Sequence, residues 1–228
     1  MRTKSKKITG WLITTRAALK ALLMAAGMPA FALALTLAAT SAHSASKIVL
    51  VLGDSLSAEY GLQRGEGWVA LLEKRLKENA IDATIVNASI SGETTSGGKS
   101  RLPTLLAKEH PNLVVVELGA NDGLRGLPLV ETQKNLHDIV TAAKKINARV
   151  LLIGMQLPPN YGTDYTRHFA ALFPAVAKET HAALVPFMFD NIVTQPQLFQ
   201  ADRIHPTAAA HPIILNTIWP FLKPLLTK

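Results

Sequence analysis

The sequence predicts an α/β fold, with a mostly parallel five-stranded sheet covered by helices on both faces. Three observations carry this. Short runs of leucine and β-branched residues recur five times along the chain, and such continuous runs are the mark of strands buried on both faces. Stretches with apolar residues at helical spacing separate them, and strand alternating with helix builds a parallel sheet. Beyond the first 45 residues there is no linker, internal repeat or low-complexity segment, so residues 46–228 read as one domain.

The elements follow in chain order. Lys47-Ile-Val-Leu-Val-Leu52 ends in Gly53 and is the first strand. Trp68, Leu71, Leu72, Arg75 and Leu76 then share one side of a helix expected over Glu66–Asn79. Ala83–Val86 and Leu113–Leu118 are the second and third strands. A helix over Val130–Ile146 leads to a fourth strand at Arg149–Gly154. A helix over Asp164–Thr180 leads to a fifth at Ala183–Pro186. Thr207–Leu226 closes the chain as a helix, with interruptions expected at Pro212 and Pro220.

Charge and composition narrow the function. The formal charge is +8, with 24 basic against 16 acidic residues. Six of the basic residues lie before residue 47 with no acid among them, which leaves 18 basic against 16 acidic. The positive charge therefore belongs to the leader, and a nucleic-acid footprint has no support. The absence of cysteine removes disulfides, thiolate metal sites and a cysteine nucleophile.

The leader has the order of a secretory signal. A basic stretch over residues 1–20 precedes the uncharged Ala21–Ala39 run, and small residues follow through Ala45. We expect residues 1–45 to be a signal peptide cleaved between 41 and 45, and the product to be periplasmic or secreted with no membrane anchor. The alternative is a retained anchor, since nineteen uncharged residues are just long enough to span a bilayer.

In a parallel sheet the chemistry sits beyond the carboxyl ends of the strands. The first strand runs into Gly53-Asp-Ser-Leu-Ser57, which places Ser55 as a nucleophile or as part of an anion-binding loop; a tight turn is the bland alternative. The second leads to Asn87-Ala-Ser-Ile-Ser-Gly92, where Gly92 exposes a backbone N–H suited to an oxyanion, or is an ordinary loop glycine. The third leads to Gly119-Ala-Asn-Asp-Gly123. Here the Asn121 amide can face the crevice, or Asn-Asp-Gly can form a left-handed turn. Near the end comes Asp202-Arg-Ile-His205-Pro206, whose three-residue spacing lets the Asp202 carboxylate hold Nδ1 of His205 and free Nε2 for proton transfer. A surface ion pair before a helix is the alternative.

These four blocks, Gly53–Ser55, Gly92, Gly119–Asp122 and Asp202–His205, resemble those of the GDSL/SGNH hydrolase family. The resemblance spans the chain beyond the leader. The strings Glu117–Gly126, Leu157–Gly162 and Ile204–Pro206 are most like its bacterial periplasmic branch of multifunctional acyl-CoA thioesterase/protease/lysophospholipase enzymes. Arg203, beside Asp202, departs from the small residue expected there. The resemblance implies a three-layer, flavodoxin-like α/β/α fold and no cofactor or metal. It implies a catalytic triad of Ser55, His205 and Asp202, and an oxyanion hole made by the N–H groups of Ser55 and Gly92 with the Asn121 amide. The expected substrates are small acyl esters, thioesters or lysophospholipids, and the expected state is a monomer.

Two rival functions remain at this point, a carbohydrate O-deacetylase with the same blocks and a non-catalytic flavodoxin-like ligand-binding domain. Leu127, Leu129 and Tyr161 are candidate acyl-chain contacts, the alternative for the leucines being packing against the next helix. Asp54 and Asp122 are expected to hold loop backbone, and His211 to decorate a helix surface.

Overall fold

The computed structural model describes residues 46–227, so the expected signal segment and its cleavage point lie outside the described residues. Five strands, β1 (Lys47–Gly53), β2 (Ala83–Asn87), β3 (Leu113–Glu117), β4 (Arg149–Ile153) and β5 (Ala183–Val185), form one sheet. Their order is β2-β1-β3-β4-β5, and every pairing is parallel. The family resemblance anticipated this three-layer α/β/α arrangement.

Among the described residues there are six α-helices: α1 (Trp68–Glu78), α2 (Thr95–Glu109), α3 (Ala120–Leu124), α4 (Leu129–Lys145), α5 (Thr163–Thr180) and α6 (His211–Thr227), all but the short α3 lying along the sheet. α1 packs against α6, while α2, α4 and α5 pack side by side. Trp68, Leu72 and Leu76 bury one stripe of α1, and Phe169 and Phe173 do the same for α5. None of these helices is long and apolar enough to cross a membrane.

Three details depart from expectation. α2 carries Gly97, Gly98 and Pro103 and only a weak apolar stripe, so no helical spacing announced it. It forms because Thr94 caps it, accepting the Gly97 N–H at 3.2 Å, and because Gly98 lies flat against Leu118. The last helix starts at His211, after a single 3₁₀ turn over Ala208–Ala210, and runs through Pro220 and Pro224 without a break. Burial of Ile214, Leu215, Ile218, Leu222 and Leu226 offsets the backbone bonds that the prolines cannot make. Finally, Asn121 and Asp122 are helical rather than left-handed; the positive φ belongs to Gly119, at +112°.

The strand order explains where the loops converge. The chain leaves β1 toward β2 on one side, then crosses back to β3 on the other. A crevice opens at such a switch point, outside the carboxyl ends of β1 and β3. Ser55 and Asn121 follow those two strands directly.

Candidate active site

The polypeptide leaves β1 through a constricted turn. A side chain at Gly53 would sit 2.8 Å from the Ser57 Cβ and from the Ser89 Oγ, so only glycine fits. Asp54 Oδ1 accepts the Leu56 N–H at 3.0 Å, and the carbonyl of Asp54 accepts the N–H groups of Ser57 and Ala58. Ser55 is thereby presented at the apex, half-buried.

His205 reaches this serine across 150 residues of chain: its Nε2 lies 2.9 Å from Ser55 Oγ, and its Nδ1 lies 2.7 Å from Asp202 Oδ2. The loop is built to hold that line. Asp202 Oδ1 accepts the backbone N–H groups of Ile204 at 2.9 Å and His205 at 3.0 Å. The Gln200 N–H donates back to the His205 carbonyl at 2.7 Å. Partial burial raises the Asp202 carboxyl, but these two N–H groups and the imidazole outweigh it and hold the pKa at about 2. The Tyr60 ring lies over the imidazole, 4.3 Å between centroids. Arg203 is exposed, with a left-handed φ of +58°.

Gly92 and Asn121 flank the same point. Gly92 has a φ of +79°, and its carbonyl accepts Nη2 of Arg125 at 2.8 Å. Among the described residues, neither the Ser55 nor the Gly92 N–H has a hydrogen-bond acceptor, so both are available to a ligand. The Asn121 amide is already engaged: Nδ2 donates to Asp54 Oδ2 and to the Glu93 carbonyl, each at 3.0 Å. The arrangement therefore offers a serine hydroxyl beside an imidazole base and two free N–H donors, with the Asn121 amide alongside but bonded to Asp54 and Glu93. No cluster of three or more His, Asp or Glu side chains suited to a metal ion occurs among the described residues.

Residues 51–213 match the GDSL-like lipase/acylhydrolase family. The chain belongs to that family. As a GDSL hydrolase it is an ester-cleaving enzyme, and its sheet is the α/β sheet of the family. It is 50% identical over 192 residues to Esterase TesA of Pseudomonas aeruginosa, covering 84% of this chain and 96% of that protein. It is 42% identical over 183 residues to Thioesterase 1/protease 1/lysophospholipase L1 of Escherichia coli, covering 80% of this chain and 86% of that protein. The crystal structure of the psychrotrophic esterase EstA from Pseudoalteromonas sp., inhibited by monoethylphosphonate, superposes with a TM-score of 0.76 at 41% identity. That match covers 80% of this chain and all of that one.

Around this candidate site stand residues to which sequence reasoning gave no catalytic role. Glu117, the last residue of β3, is buried and accepts the Ser57 hydroxyl at 2.7 Å. One signal marked it: a single carboxylate ends a strand that is otherwise Leu and Val. Asp122 is buried and caps α2, accepting the Thr95 N–H at 2.9 Å, in keeping with the backbone-holding expected of it. His211, expected on a helix surface, is 2% exposed. The helix begins only at this residue, so its side chain turns inward beside α1 rather than out from a helix flank.

The candidate acyl contacts separate. Leu127 is 37% exposed in the loop after α3. Leu129 opens α4 and lines a groove between α4 and α5 with Val130, His168 and Leu172. The Tyr161 hydroxyl donates to the Leu124 carbonyl at 3.2 Å, bracing that loop.

Proposed function

We propose that this enzyme hydrolyses fatty-acyl and aryl esters and thioesters, lysophospholipids among them, through Ser55, His205 and Asp202. The observation that carries the reading is the continuous line from Asp202 Oδ2 through the imidazole to Ser55 Oγ, with links of 2.7 and 2.9 Å. Asp202 fixes the tautomer with hydrogen on Nδ1, which leaves the Nε2 lone pair facing the serine hydroxyl. Ser55 attacks the carbonyl carbon, and its proton passes to Nε2. The N–H groups of Ser55 and Gly92 then receive the oxyanion, and the Asn121 amide joins them by loosening its bond to Glu93. Collapse expels the alcohol or thiol, which takes the proton from His205. Water repeats the sequence on the acyl-enzyme and restores the serine.

The activities printed for the relatives support this breadth of substrates, and the phosphonate-inhibited esterase fits a serine nucleophile. We read the basic, Ala/Leu-rich leader as an export signal, which makes the mature enzyme periplasmic or secreted. A fluorophosphonate probe tests the nucleophile: it should label the wild-type protein once and leave Ser55→Ala unlabelled. A panel of p-nitrophenyl esters of rising chain length, acyl thioesters and acetylated sugars tests the substrate class. Turnover restricted to acetylated sugars would make the enzyme a carbohydrate deacetylase instead. Asp202→Asn should fold normally and lose several orders of magnitude in kcat, because the imidazole then takes the wrong tautomer.

A further inference from the structure

Behind Ser55 lies a second acidic group that the proposed reaction does not use directly. Glu117 ends β3, and its Oε2 accepts the Ser57 hydroxyl at 2.7 Å and the Asp54 N–H at 3.3 Å. Ser57 itself accepts the indole N–H of Trp68 at 3.2 Å, which directs its own hydrogen toward Glu117. Asp54 is 0% exposed and Glu117 is 2% exposed, and the two acids are neighbours, since Gly53 pairs with Glu117 in the sheet and the Asp54 N–H donates to the Glu117 carboxyl group. The two oxygens of Asp54 accept the Leu56 N–H and the Asn121 amide. Every one of these donors is neutral. Two adjacent carboxyl groups shut away from water do not both ionise.

We propose that Asp54 and Glu117 share a single proton, carried by Glu117 and donated to Asp54, and that Glu117 thereby positions the Asn121 amide for the oxyanion. The proposal rests on the role given to Asn121 above. A neutral Glu117 leaves Asp54 as an ionised acceptor that holds one hydrogen of the Asn121 amide and so sets its plane. The assignment of the proton follows from the surroundings. Burial and the charge of Asp54 push the Glu117 carboxyl well above its ordinary range. Burial also raises Asp54, but the Leu56 N–H, Glu117, Asn121 and His205 oppose it and leave it at about 6. The titratable groups acting on the pair are each other and His205, which acts on Asp54; α1 contributes only the neutral Trp68. At high pH the loss of this proton places a second negative charge beneath the oxyanion, and kcat falls.

Infrared spectra of the wild-type protein and E117Q at neutral pH test the proton without reference to turnover. The carbonyl band of a buried carboxylic acid should be present in the wild type and missing from E117Q. Kinetics test the positioning. E117A should lose about tenfold or more in kcat at unchanged KM, less than the loss of an oxyanion donor itself. E117Q, whose amide still accepts from Ser57 and donates to Asp54, should restore most of that kcat and lose the alkaline fall. No acid band in the wild type, or a band that persists in E117Q, overturns the shared proton, and the first of these needs no variant to fold. E117Q as impaired as E117A, or a loss confined to KM, overturns the positioning role. An acid band together with an active Ser55→Ala enzyme would locate the error in the nucleophile instead.

Discussion

The backbone N–H of Trp68 donates to Nδ1 of His211 at 3.0 Å, tying the first residue of α1 to the first residue of α6 across 143 positions of sequence. The bond needs an unprotonated Nδ1. Burial pushes the imidazole pKa down to about 4, while Glu59 and Glu66 pull weakly the other way. Between the ordinary value of 6.5 and about 4, the unfolded chain binds the proton and the folded chain does not. Stability is therefore full above pH 6.5 and declines as pH falls toward 4, by a total of about 3 kcal/mol. Thermal melts across this range should show the fall. A Tm that stays level from pH 7 to pH 4.5 would show that His211 does not titrate as its burial requires.

Arg101 holds the loop that carries Gly92. Its Nε donates to Glu93 Oε2 at 2.8 Å and its Nη1 to the Ala88 carbonyl at 2.6 Å, gripping the loop at both ends. The ion pair is largely buried, with side chains 22% and 13% exposed. Glu93 also presents the carbonyl that holds Asn121. Arg101→Gln should therefore lower kcat by about tenfold while leaving KM within about twofold, because a loosened donor acts in the transition state. Steady-state kinetics on one p-nitrophenyl ester suffice, and a rise in KM alone would place Arg101 in substrate binding.

Asn121→Ala removes one proposed oxyanion donor and also leaves the Glu93 carbonyl and Asp54 Oδ2 without their amide partner. The expected loss in kcat is about 10²–10³-fold, with KM little changed. The same substitution should lower Tm, since buried Asp54 loses a hydrogen bond. Unchanged kcat would remove Asn121 from the oxyanion hole.

Leu127 and Leu129 should respond differently to a polar replacement. Leu127 is exposed and can add apolar surface to an acyl chain, worth about 0.8 kcal/mol for each CH₂ covered. Leu127→Ser should lower kcat/KM on long-chain esters more than on acetyl esters, with Tm unchanged. Leu129 packs against the core at the start of α4, so Leu129→Ser should lower Tm and reduce activity equally at every chain length. Chain-length selectivity lost on Leu129→Ser instead would move the acyl chain into the α4–α5 groove.

Local pattern alone determined much of this molecule. Runs of Leu, Ile and Val specified the central strands β1, β3 and β4 because a strand buried on both faces admits little else, while the edge strands β2 and β5 carry shorter and less buried runs. Gly53–Ser55, Gly92, Gly119–Asp122 and Asp202–His205 were each ambiguous alone and became legible only as a set, through their resemblance to the family's blocks; the structure brings all four to one crevice. Tertiary structure decided what depends on neighbours distant in sequence. α2 has glycines and a proline where propensity asks for alanine, and it stands on a cap and on the close approach of Gly98 to Leu118. His211 turns inward because α1 lies opposite it, 143 residues away, and no spacing rule reports such a partner. Glu117 and Asp54 are ordinary acids in the sequence. They become a buried pair only because β1 and β3, 60 residues apart in the chain, lie side by side in the sheet and shut both carboxyl groups away from water.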